Sequence, residues 1–174
     1  MISRFNITTL LWVFAVAAQA QTQTAEVSLS GRAISSGDPA VFVLSLRSTS
    51  DIPAAAIQWD FEYSPAIITD IRVDNGTAAV SADKTVFCAS NLSAQTCVAT
   101  GLNANTIDDG AVAVVTATLA PDVISATITV THTLAVSAGG VEIALTPANG
   151  GFASVTVSPP AQLKPPLKPK VVVP

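Results

Sequence analysis

Period-two alternation is the feature that most narrows what this chain can become. In the segment Ala54–Tyr63, Ile57, Trp59, Phe61 and Tyr63 fall on one side, and Gln58, Asp60 and Glu62 on the other. Successive side chains of a β-strand point to opposite faces, so this pattern describes a strand with one dry face and one wet face. The same parity holds in Val41–Leu46, where Phe42, Leu44 and Leu46 oppose Val41, Val43 and Ser45. In Ala126–Val136, Ile128, Val130, Leu134 and Val136 alternate with Thr127, Thr129, Thr131 and Thr133, and His132 falls in the apolar register. This register makes His132 a structural residue and the threonines the polar face of a strand.

Further short segments carry strand signals: Ala25–Ser30, Ala40–Ser48, Ile67–Asp74, Thr77–Ser81, Thr85–Ala89, Cys97–Gly101, Ala111–Leu119, Val141–Leu145 and Gly151–Val157. Turn residues separate them, among them Ser36-Gly37-Asp38-Pro39, Ser64-Pro65, Asn75-Gly76, Asp108-Asp109-Gly110 and Asn149-Gly150-Gly151. The apolar residues are mostly Ala and Val, with abundant Thr, and no segment shows a sustained helical period. Many short strands without intervening helices predict an all-β fold. The expected form is a two-sheet antiparallel β-sandwich of jelly-roll or immunoglobulin-like type, with about nine strands. Trp59, Phe61 and Tyr63 are assigned to its core.

The ends differ from this body. Arg4, an apolar run from Leu10 to Ala18 and the small-residue pattern Ala18-Gln19-Ala20 fit a secretory signal peptide over residues 1–20. That run is shorter than the about 20 apolar residues a bilayer span needs, and no transmembrane segment is expected in the mature chain. Residues 158–174 hold six of the eleven prolines, plus Lys164, Lys168 and Lys170 without an acid. They read as an extended, disordered Pro/Lys-rich tail, a plain flexible terminus first, with a spacer or a basic contact to an anionic wall or lipid as the functional alternatives.

Export gives the two cysteines, Cys88 and Cys97, their meaning. In an oxidising compartment they are expected to form a disulfide closing a short loop. The one histidine of the chain cannot complete a structural zinc site with them. The expected location is extracellular, at the cell surface or periplasmic.

All twelve acidic residues lie in the body, against only Arg32, Arg47, Arg72 and Lys84. Nucleic acid requires a basic face, so it is excluded as a partner.

The order of the motifs resembles the cohesin domain and related carbohydrate-binding modules. Val27-Ser28-Leu29, Ser36-Gly37-Asp38-Pro39 and Val41–Leu46 follow the family's strand, turn and alternating strand. Ile57 through Tyr63-Ser64-Pro65, then Ile67-Ile68, is similar to its strand ending in a Tyr-Asp-Pro turn, with Ser64 in place of Asp. Val98-Ala99-Thr100-Gly101, Asp109-Gly110 into Val112–Leu119, and Asn149-Gly150-Gly151-Phe152 through Val155-Thr156-Val157 complete the series. The resemblance spans about residues 25–157 and marks residues 21–157 as a cohesin-like β-sandwich. It implies a non-catalytic module that binds a protein, in the family a calcium-binding helical dockerin on a polysaccharide-degrading enzyme. It places Gln58, Asp60 and Glu62 on the partner-facing side of their strand.

Searching the residues for chemistry gives no catalytic constellation. Asp60 and Glu62 point the same way from one strand, whereas glycosidase carboxyls face each other across a cleft. Asp108-Asp109-Gly110 lacks the alternating ligands of a calcium loop and reads as a turn. No metal, cofactor or catalytic residue is therefore expected. The aromatics of the body leave no planar platform for stacking on sugar rings. Protein recognition is the leading expectation, with direct polysaccharide binding or a structural surface or matrix role as the alternatives.

Overall fold

A computed structural model describes residues 24–158 apart from 33, 36, 50 and 92. The expected leader, and all but the first residue of the expected tail, lie outside the described residues.

The strands in chain order are β1 (Thr24–Gly31), β2 (Ile34–Ser35), β3 (Ala40–Ser48), β4 (Ala54–Tyr63), β5 (Ile68–Asn75), β6 (Thr85–Ser90), β7 (Ala94–Thr100), β8 (Gly110–Leu119), β9 (Ser125–Ser137), β10 (Glu142–Pro147) and β11 (Phe152–Ser158). A one-turn helix, α1 (Thr77–Ser81), stands between β5 and β6. Hydrogen bonding runs continuously through β5-β8-β3-β1-β10-β9-β4-β7-β6, with β11 pairing both β9 and β2. The layer β5-β8-β3-β1 packs on the layer β9-β4-β7-β6, and the parallel β1–β10 pair joins them. Apart from that pair and the short parallel contact of β11 with β2, neighbouring strands are antiparallel. The sandwich is thus as expected. Its strand count is eleven, because the body's strand signals are nearly all realised and the two-residue β2 is added.

Parity explains the core. Phe42, Leu44 and Leu46 from one layer meet Ile57, Trp59 and Phe61 from the other, all essentially without solvent contact. Trp59 and Phe61 lie edge to face with ring centroids 5.9 Å apart, a favoured arrangement of the ring quadrupoles. Tyr63 is half-buried at the margin of this cluster.

One expected strand is a helix. Thr77–Ser81 was a β-branched and Ala segment too short to show a period, yet it forms α1, with Ala78 and Ala79 buried. The chain must here cross from β5 in one layer to β6 in the other. A single helical turn makes the crossing while driving alanines into the end of the core. Gly76 permits it: its N–H donates to the carbonyl of Val112 at 2.8 Å, and a Cβ at this position would lie 2.3 Å from the carbonyl oxygen of Ala111.

The loop between β7 and β8 is anchored to the same end. Lys84 is buried, and its Nζ donates to the backbone carbonyl of Asn103 at 3.0 Å and to Asn103 Oδ1 at 2.7 Å. Asn103 Nδ2 in turn donates to the carbonyl of Asp83. Asp109 Oδ1 accepts the backbone N–H of Ser48 at 2.7 Å, so the Asp108-Asp109-Gly110 turn serves to start β8. Among the described residues no helix is long and apolar enough to cross a membrane.

Cys88 and Cys97 face each other across β6 and β7, with Cα atoms 4.1 Å apart, and form the expected disulfide. It fastens the edge strand β6 to the sheet. Replacing both cysteines by alanine should cost about 2–3 kcal/mol on the loop-entropy scale. The thermal midpoint of the oxidised chain should exceed that of the Cys88→Ala/Cys97→Ala variant by several degrees, measured by circular dichroism.

Candidate functional site

The outward face of the β6-β7-β4-β9 layer gathers the sequence-predicted residues with others that the sequence reading had placed elsewhere. On β4, Gln58 and Glu62 are exposed and Asp60 is partly exposed. They share the face as expected.

The β9 strand departs from simple alternation. Asp60 pairs with Thr131, but Gln58 pairs with Leu134. Two residues of β9, His132 and Thr133, therefore stand against the single residue Trp59 of β4, which is a β-bulge. His132 takes φ 47°, a left-handed conformation that costs a non-glycine residue on the order of 1–3 kcal/mol. The bulge reverses parity in the second half of the strand. Ala135 and Ser137 point into the core, Val136 is half-buried and Leu134 is exposed. The expectation of an apolar register for His132, Leu134 and Val136 is corrected by this one extra residue. His132 is turned to solvent, with its side chain 73% exposed.

His132 is thereby brought to Asp60. Its Nδ1 lies 3.0 Å from Asp60 Oδ2 and 3.3 Å from Thr131 Oγ1. Thr131 Oγ1 donates to Glu62 Oε1 at 2.8 Å. A carboxylate oxygen only accepts, so Nδ1 carries the proton in this arrangement. The other oxygen of Asp60, Oδ1, is buried and has no hydrogen-bond partner among the described residues. Trp59 Nε1 and Gln95 Oε1 are buried without a hydrogen-bond partner in the same way.

Next to this polar cluster runs an apolar row. Phe87 of β6 is opposite Val98 of β7, Val98 is opposite Gln58, and Gln58 is opposite Leu134. Phe87 is 59% exposed. The following row, Thr96, Asp60 and Thr131, lies two residues along β4, about 7 Å away at the rise of a strand. The face thus pairs an apolar row with two carboxylates. Arg47 and Arg72 belong to β3 and β5 in the opposite layer, and Lys84 is buried, so these three cations do not offset the acids here.

Phe152 of β11 is also exposed, opposite Thr129 at the far side of the sheet. Four strand spacings separate its strand from that of Phe87 in the order β6-β7-β4-β9-β11, roughly 19 Å. Two isolated rings at that separation do not make a continuous stacking platform. Little in the residues warned of Phe87 and Leu134. The one available signal was His132 itself, a polar residue interrupting an apolar register.

No family model matches the sequence, and no curated protein matches it. Solved structures do. A cohesin in a type I cohesin–dockerin complex from Clostridium thermocellum superposes with a TM-score of 0.67 at 14% identity, over 81% of this chain and 99% of that one. The chain has the cohesin fold. A type I cohesin from Pseudobacteroides cellulosolvens gives a TM-score of 0.64 at 12% identity, covering 81% and 96%. A non-cellulosomal cohesin from the hyperthermophilic archaeon Archaeoglobus fulgidus gives 0.60 at 9%, covering 78% and 91%. This cohesin-like chain therefore keeps the backbone of those domains while almost every side chain differs.

The two phenylalanine environments on either side of β4 and β6 predict opposite costs. Phe61→Ala, in the core, should destabilise by about 3–5 kcal/mol. Phe87→Ser, on the open face, should change stability by less than about 1 kcal/mol. Chemical denaturation of the two variants distinguishes these outcomes.

Proposed function

We propose that this chain is an exported, non-catalytic protein-binding module that takes its partner on the β6-β7-β4-β9 face, with Gln58, Asp60 and Glu62 in contact with it. The observation that carries the reading is the conjunction on one sheet face of two carboxylates and the row Phe87, Val98 and Leu134. Protein interfaces combine a desolvated apolar centre with polar groups that set register. A flat face of antiparallel strands, fixed by its own ladder, presents both without rearrangement.

The likeness to cohesins, one of them solved in a cohesin–dockerin complex, supports a dockerin-like partner and a role in polysaccharide breakdown or cell-surface assembly. The acidic rim suits a partner carrying Lys or Arg. Opposite charge chiefly speeds encounter, so the association rate should fall as salt rises. The disulfide supports a location outside the reducing cytoplasm. Direct polysaccharide binding is the weaker reading, since Phe87 and Phe152 are too far apart to stack on neighbouring sugar rings.

Capture from the source organism's secreted proteins tests this. The wild-type chain should retain a protein that the Asp60→Lys/Glu62→Lys variant loses, with thermal midpoints within a few degrees of each other. Retrieval of the same proteins by both chains would show that the partner binds elsewhere.

A further inference from the structure

We propose that the chain's own Pro/Lys-rich segment, residues 163–170, docks in the groove beside the end of β11. The groove has a volume of about 620 Å³ and lies between the turn that precedes β3 and the β8–β9 loop. Ile34, Pro39, Leu119, Pro121, Val123 and Val157 give it apolar walls. The charged residues that line it are Asp38 and Asp122. Both are exposed, and neither carboxylate has a hydrogen bond or ion pair among the described residues. This groove is separate from the partner face, and the proposal does not rest on the reading of that face.

Three observations single out this occupant. The first is where the sandwich ends. β11 stops at Ser158, and Val157 beside it is part of the groove wall. The five residue steps from Ser158 to Leu163 span up to about 17 Å, enough to carry the segment across a groove of this size. So short a tether gives an effective concentration on the order of millimolar. The second is charge. Residues 159–174 contain Lys164, Lys168 and Lys170 and no acid, against two carboxylates that lack partners. The third is pattern. A proline-rich segment favours the polyproline helix, with three residues per turn. That period sets Leu163, Pro166 and Pro169 along one edge, with Lys164 and Lys170 on one flank and Lys168 on the other.

Seating the apolar edge against the groove walls removes surface from water on both sides. The flanking lysines then lie within reach of Asp38 and Asp122. A polyproline segment has little conformational freedom to lose on docking, which is why apolar grooves take such segments readily. Exposed ion pairs contribute little singly, so removing both carboxylates should lower the ratio of docked to free segment about fivefold to tenfold. Asparagine is the substitution that isolates charge. Asp122 takes φ 61°, a conformation that asparagine adopts as readily as aspartate, so Asp122→Asn leaves the turn unstrained.

Heteronuclear NOEs on the isotope-labelled chain, tail included, test this without any partner. In the wild type the amides of Lys164, Leu167 and Lys168 should give positive NOEs approaching those of the strands, well above that of Val172. In Asp38→Asn/Asp122→Asn, and separately in Lys164→Gln/Lys168→Gln/Lys170→Gln, they should fall toward the Val172 value. Raised salt should act in the same direction. The second variant alters only residues outside the sandwich, so it decides the matter even if the first fails to fold. NOEs as low as that of Val172 in the wild type, or unchanged in the variants, overturn the proposal. NOEs that are high only where light scattering detects dimers place the segment on a second copy and overturn docking within one chain.

Discussion

The parity of side chains along β4 is the constraint on which the rest of the molecule depends. Trp59 and Phe61 alternate with Gln58, Asp60 and Glu62, so a single strand supplies the centre of the core and the centre of the open face. A slip of one residue would exchange the two, putting carboxylates between the layers and aromatic rings into water. Burying unpaired carboxylates costs far more than any turn or loop contributes, so register is fixed before the loops need to contribute. Both neighbours of β4 respect its parity: Cys97 and Ala99 of β7 point inward with Ile57 and Trp59, and Val130 of β9 points inward with Phe61.

The boundaries of the sandwich are secured by different means. At one edge, the Cys88–Cys97 disulfide ties β6 to β7. Val86 N–H, facing away from the sheet, is accepted by Asn75 Oδ1 at 2.8 Å, which links the two edge strands β5 and β6. At the end of the core, Lys84 holds the β7–β8 loop through Asn103. None of these devices touches the open face. That separation lets the face carry exposed apolar side chains without being needed for stability.

Much of this was legible in the residues. The bounds of β3 and β4 follow directly from alternation bracketed by turn residues, and the cysteine pairing followed from the expected export and the single histidine. Gln58, Asp60 and Glu62 were legible as outward residues for the same reason that Trp59 was legible as inward. Thr77–Ser81 was not, because five residues show no period and the need to cross between layers is a property of the whole fold. Phe87 was not, because an edge strand read alone does not reveal which of its faces is covered. Leu134 was misassigned because alternation carries parity along a strand only as long as no residue is inserted.

The β9 bulge shows how a sequence pattern fails when a single residue is inserted into a strand. Local propensity favours an unbroken Thr/apolar alternation from Ala126 to Val136. The fold instead keeps a left-handed histidine at its centre and turns Ala135 and Ser137, not Leu134 and Val136, toward the core. Both changes work against stability, by backbone strain and by smaller buried side chains. On the other side of the sheet the same insertion places His132 beside Asp60 and turns Leu134 outward.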